Sequence, residues 1–188
     1  VFLPSTEKAN FKITPEVLEK ALTTRSKILI LNSPSNPTGA VYSKEELLAL
    51  CAVLKKHPNV LVLSDEIYEK LIFDGAKHHS IASLDSEIAK RTVIVNGHSK
   101  AYAMTGWRLG YAAFPEKTLA KAVESIQSHS TSNPVSFTQP GAVVAPPFSF
   151  NVVRPCGGIV LLTLALQDTS SSLGTVRIPL RVGASGLT

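Results

Sequence analysis

The sequence predicts an α/β layered fold on a mainly parallel sheet, and three observations carry that prediction. Short apolar runs recur at Lys27–Asn32, Val60–Ser64 and Thr92–Asn96, continuous rather than alternating, as strands buried on both faces read. Stretches with helix-start and helix-stop signals lie between them. Polar residues out of keeping with the runs follow their ends: Asn36, Asp65 and Ser99-Lys100. In parallel sheets ligands collect beyond the carboxyl ends of the strands, so these residues are expected at one sheet edge.

Each element has a local cause. Thr14-Pro15-Glu16 opens a helix, with Thr14 as N-cap and Pro15 at the first helical position. After the first strand, Ser33-Pro34-Ser35-Asn36-Pro37-Thr38-Gly39 contains two prolines and a glycine, which forbid regular structure. Ser43 and Glu46 form a capping box for a helix running to about His57, and Pro58 stops it. The second strand leads into Asp65-Glu66-Ile67-Tyr68. A loop around Asp74-Gly75 is followed by a short helix at Asp85–Arg91 and the third strand. Gly106–Phe114 reads as a fourth strand, and Pro115 starts a helix through roughly Ser128.

The 188 residues fit one domain or part of a larger one, and a 44% hydrophobic content allows a buried core. The net charge of +5 comes from lysines scattered among glutamates, which reads as a solvated surface rather than a nucleic-acid face. Cys51 and Cys156 give no metal spacing and no disulfide framework. Cys51, among leucines, reads as a buried thiol. No signal peptide is visible and the apolar run Ile159–Leu166 is too short to span a bilayer, so a cytoplasmic protein without membrane partners is expected. The chain begins at Val1 rather than at a methionine, and an N-terminal portion is expected to be absent.

Two segments are expected: a domain over residues 1–144 and an atypical tail over 145–188. The tail holds no lysine and no glutamate and is dominated by Pro, Ser, Gly, Thr and Leu. It reads as a segment that does not continue the domain, frameshifted or disordered.

Lys100 follows a buried strand in Gly97-His98-Ser99-Lys100, ahead of Met104-Thr105-Gly106-Trp107-Arg108. A lysine there can be partly desolvated, which favours imine chemistry. Arg108 offers a planar fork of donors suited to a phosphate. Asp65 at the neighbouring strand end suits a buried cation, with Tyr68 within one turn of it. Each feature alone also has a plain structural reading: a solvated surface lysine, an N-cap pair, an ordinary turn.

In combination, Asn32–Gly39 (NSPSNPTG), Ser64–Tyr68 (SDEIY) and Val95–Tyr111 (VNGHSKAYAMTGWRLGY) resemble the class I/II pyridoxal-phosphate-dependent aminotransferases of fold type I. The wording is nearest the bacterial-type aspartate and prephenate aminotransferases, and the resemblance covers roughly residues 1–144. It implies a three-layer sandwich that is part of the cofactor-binding large domain. It also implies that Lys100 forms the Schiff base with pyridoxal 5'-phosphate and shuttles the substrate α-proton. Asp65 would pair with the pyridine nitrogen, and Tyr68 and Asn36 would hydrogen-bond the phenolic oxygen. Asn36 would also reach the substrate carboxylate, while Ser99 and Arg108 would hold the phosphate. No metal is implied. Gly39 and Gly106 are read as backbone geometry and Trp107 as packing. His98 stands where relatives usually carry an apolar residue. A role for it as base competes poorly with Lys100.

The implied reaction is amino-group exchange between an amino acid and a 2-oxo acid, in a family that is typically homodimeric. Two alternatives stand beside it: a lyase or synthase on the same scaffold, or a fragment with weak or no turnover. The arginine that clamps the substrate carboxylate in the family has no counterpart here, since Arg154, Arg177 and Arg181 lack its sequence context.

Overall fold

A computed structural model describes residues 1–144 and the backbone of a strand at 160–162. Four strands from the first stretch form one sheet in sequence order: β1 (Ile28–Asn32), β2 (Leu61–Asp65), β3 (Thr92–Gly97) and β4 (Gly110–Phe114). β1, β2 and β3 run parallel; β4 pairs antiparallel with β3, and β5 (Val160–Leu162) antiparallel with β4. Apart from β5, the expectations for 145–188 concern residues outside those described.

Parallel neighbours need a crossover, and both crossovers here are helical. α2 (Lys44–Lys55) joins β1 to β2, while α3 (Ile81–Leu84) and α4 (Ser86–Ala89) join β2 to β3. Right-handed crossovers that step in one direction across a sheet put their helices on the same face. The burial follows that rule. Leu29, Leu31 and Val62 point to this face and pack with Leu47, Leu50, Leu54, Ile81 and Ile88 in the main core. α1 (Pro15–Ala21) adds Leu18.

The other face is covered only in part. α5 (Lys117–Ser130) follows the antiparallel β4 and folds back on it, so Ala120 packs with Val93, Ala112 and Phe114. The three layers expected are therefore present over β3 and β4. Over β1 no outer layer is present among the described residues, and Ile28 and Ile30 are 57% and 69% exposed.

The local signals act as expected. The Thr14 side chain accepts from the Val17 amide, and Ser43 and Glu46 close both halves of their capping box. Arg91 is buried and closes the far end of α2: its guanidinium donates to the carbonyls of Leu54, His57 and Val60 at 2.6–2.9 Å. Cys51 is free and buried, and burial pushes its thiol up to about 11.

Two boundaries differ. Asp85 caps Glu87 and Ile88 with its carboxylate, so the helix expected over Asp85–Arg91 is the single turn α4, with α3 as a separate turn before it. The expected strand Gly106–Phe114 begins only at Gly110. Thr105–Trp107 is a 3-10 turn, and Arg108 takes a left-handed backbone with φ 52° that no strand accommodates.

The uneven burial makes a direct prediction. Leu50→Ala is expected to cost about 2–5 kcal/mol, the range for emptying a closed core site. Ile30→Ala, equally apolar on paper, is expected to change stability by no more than about 0.5 kcal/mol. Urea unfolding of the two variants checks this, and equal losses would mean that the face over β1 is covered in solution.

Candidate active site

The site is built on strand ends. Asn32 closes β1 directly opposite Asp65, which closes β2. The Asn32 amide nitrogen donates to the Asp65 carbonyl at 3.2 Å, and its oxygen accepts from the Asn36 backbone amide at 2.9 Å. One side chain thus ties the turn after β1 to the end of β2. Within that turn the Gly39 amide donates to the Ser35 carbonyl, and Gly39 takes φ 71°, a left-handed conformation suited to glycine. The peptide bonds before Pro34 and Pro37 are cis.

Held this way, the Asn36 side-chain amide donates to the Tyr68 hydroxyl at 3.1 Å. Tyr68 stands in the turn after β2, where its carbonyl accepts from Leu71. The Lys100 ammonium lies over the Tyr68 ring, 5.5 Å from its centroid. Asn36, Tyr68 and Lys100, far apart in the chain, therefore meet. Lys100 itself is exposed, so the partial desolvation expected at this strand end is absent among the described residues.

Asp65 is half-buried, and its carboxylate accepts from the Ile67 amide at 3.2 Å. Its proton affinity lies above the usual carboxylate range, because burial penalises the charge and Glu66 adds to the repulsion.

Ser99 and Arg108 share the loop after β3. Thr105 joins them: its hydroxyl donates to the Ser99 carbonyl at 3.1 Å, and its own carbonyl accepts from the Arg108 guanidinium at 3.1 Å. The loop leaves β3 through Gly97, where a Cβ would come within 2.9 Å of the Leu109 carbonyl oxygen. Gly106, by contrast, has open space and no left-handed backbone, so the geometric need expected there does not hold. Trp107 is 43% exposed and meets Phe137 edge-to-face, so its packing role is partial.

His98 is buried between the rings of Tyr102 and Tyr111, at centroid distances of 5.6 and 6.2 Å. Burial lowers its proton affinity, with a hydrogen bond to the Ala142 backbone opposing. This is the setting of a packed core histidine.

Sequence reasoning missed Asn32 and Thr105 as members of the site. Asn32 carried a signal, being an amide at the end of an apolar strand. Thr105 carried none, because its role depends on the turn geometry at Arg108.

Comparison with known proteins agrees with this architecture. The profile of the family "Aminotransferase class I and II" matches residues 1–146. An aspartate aminotransferase of Geobacillus stearothermophilus is 55% identical over 145 residues, 77% of this chain and 36% of that protein. An aspartate/prephenate aminotransferase of Cereibacter sphaeroides is 52% identical over 138 residues, 73% of this chain and 34% of its own. The crystal structure of the aspartate aminotransferase from Rhizobium meliloti superposes with a TM-score of 0.75 at 44% identity, over 80% of this chain and 38% of that one. The chain thus spans about a third of the length of the curated relatives it matches.

The raised proton affinity of Asp65 has a stability consequence. A carboxyl group that is harder to ionise folded than unfolded contributes stability in acid, below its unfolded pKa, and loses it as pH rises through the folded value. At neutral pH the charge therefore works against folding. Asp65→Asn, which keeps an oxygen for the Ile67 amide, is expected to raise the melting temperature of the cofactor-free chain at neutral pH. That gain should fade at acidic pH. Melting curves across the acid range check the sign, and a loss of stability at pH 7 would overturn it.

Proposed function

The chain belongs to the class I and II aminotransferases, and from that membership we propose that it carries the pyridoxal-phosphate site of an enzyme exchanging amino groups between an amino acid and a 2-oxo acid. The observation that carries the reading is the contact of Asn36, Tyr68 and Lys100 beside the half-buried Asp65. An amine, a phenol, an amide and a carboxylate gathered from the ends of β1, β2 and β3 make a set of groups that fits this cofactor's ring. The same set has no use in an ordinary turn.

In this reading each side chain has a task set by its chemistry. Asp65 pairs with the ring nitrogen and keeps it protonated, and its partial burial strengthens that pairing. Tyr68 and Asn36 hydrogen-bond the phenolic oxygen. Lys100 is the attachment point and afterwards moves the proton at the substrate α-carbon. Asn36 also faces the substrate carboxylate, while Ser99 and Arg108 hold the phosphate, the arginine through charge-assisted hydrogen bonds. When bound, the cofactor supplies an electron sink for the charge that develops at the α-carbon.

Aspartate is the amino donor to test first, since the relatives at 46–55% identity are named for it. Residues 1–144 are then part of the cofactor-binding large domain; the family match ends at residue 146, while β5 from the tail still pairs with β4 at the sheet edge. The complete enzyme is read as a cytoplasmic homodimer. No helix among the described residues is long and apolar enough to cross a membrane.

The test is covalent. Purified chain incubated with pyridoxal phosphate and reduced with borohydride should carry the pyridoxyl label on Lys100, found by peptide mapping. Lys100→Ala should lose both that label and the visible absorbance band. Label spread evenly over surface lysines, in wild type and variant alike, would sink the proposal.

A further inference from the structure

A second carboxylate stands directly behind Asp65. Side chains alternate at the strand end, so Asp65 points to one face and Glu66 joins Ser64 on the helix-covered face. Glu66 is 4% exposed. A carboxylate removed from water needs donors on its lone pairs, and it has them. One oxygen accepts from Ser64 Oγ at 2.8 Å and from Ser80 Oγ at 2.7 Å; the other accepts from His78 Nε2 at 3.0 Å.

Two of those donors come from residues 78–80, so the contact closes the loop that leaves β2 and returns to α3. Asn36 and Lys100 meet Tyr68 near its start, but beyond Tyr68 few contacts among the described residues tie this loop down. Leu71 and Phe73 within it are 40% and 75% exposed, so apolar burial does not anchor it. Backbone bonds at Leu71 and Ala76 are local to the loop. The Glu66 amide also donates to the Val95 carbonyl at 2.9 Å, which joins the loop's first residue to β3. Well-packed apolar side chains often match a buried ionic cluster in stability. What the cluster adds at this position is a fixed geometry, one residue from the Asp65 carboxylate and the Ile67 amide that hydrogen-bonds it.

We propose that Glu66, gripped by Ser64, Ser80 and His78, is a positioning residue that fixes the Asp65 carboxylate and the turn carrying Tyr68. The functional half of this inference rests on the role given to Asp65 above.

Two measurements test it, and the first needs no cofactor. In Glu66→Ala, hydrogen exchange at the Ile67 and Glu69 amides should rise about tenfold or more relative to amides of β1. Glu66→Gln keeps the shape and an oxygen for the two serines, and should restore most of that protection. If Glu66→Ala does not fold, Ser80→Ala and His78→Gln each remove one donor and are read the same way. Unchanged exchange at Ile67, or a rise shared equally by all amides, would overturn the clasp.

The second measurement is pyridoxal phosphate affinity from absorbance titration, in wild type, Glu66→Ala, Asp65→Asn and the double variant. A residue acting through Asp65 should weaken binding about tenfold in the wild-type background and hardly at all once Asp65 is replaced. Independent, multiplying losses would mean that Glu66 is merely structural. If the wild-type chain shows no saturable binding, the cofactor reading fails, and the exchange result alone decides the clasp.

Discussion

The carboxyl edge of the sheet depends on the alignment of β1 with β2, in which Asn32 stands opposite Asp65. That register lets one amide side chain satisfy the Asp65 carbonyl and the Asn36 amide together. A slip of β1 by one residue would turn Asn32 to the face opposite Asp65 and take Leu29 and Leu31 out of the core. The hydrophobic pattern therefore holds the polar pattern in place. The energy comes from burial against α2, and the geometry at the edge follows from it.

The same register explains the asymmetry of the layers. Because β1, β2 and β3 follow one another without reversal, α2, α3 and α4 share a face. On the opposite face the described residues place α5, which the antiparallel β4 delivers to its own end of the sheet. Ile28 and Ile30 are left exposed by topology, although their residue types suit a strand buried on both sides. Asp65, on this same face, has its charge only partly removed from water. The setting of the site is thus a consequence of strand order and not only of the residues in it.

Much of this was legible in the chain. Strands were readable because continuous Val, Ile and Leu runs suit strands buried on both faces, and helix starts because Thr14, Ser43 and Glu46 satisfy amides within their own turn. Asn36, Asp65 and Lys100 stood out as polar residues following apolar strands. The misreadings share a cause. Gly106–Leu109 continues an apolar-looking run, but Arg108 is left-handed, and its backbone amide and side chain both donate to the Thr105 carbonyl. Such a turn is fixed by contacts across the loop, which composition does not encode. The exposure of Lys100 was equally hidden, because it depends on what lies around the strand end rather than on the strand.

The pair Asp65-Glu66 shows how environment divides one chemistry into two roles. Both are carboxylates, one peptide apart, and sequence alone offers no way to choose between them. A carboxylate has about four acceptor positions. Glu66 accepts from three side chains on the covered face, and little of its capacity remains for anything else. Among the described residues Asp65 accepts from one backbone amide on the open face, and burial leaves its charge unfavourable despite that bond. Only the second can gain substantially from an incoming cation. A protonated ring nitrogen would offset the cost that burial has left there, and Glu66, already satisfied, would add to the attraction without competing for the contact. The choice between the two residues is made by strand alternation, and the donors at Ser64, His78 and Ser80 then make it permanent.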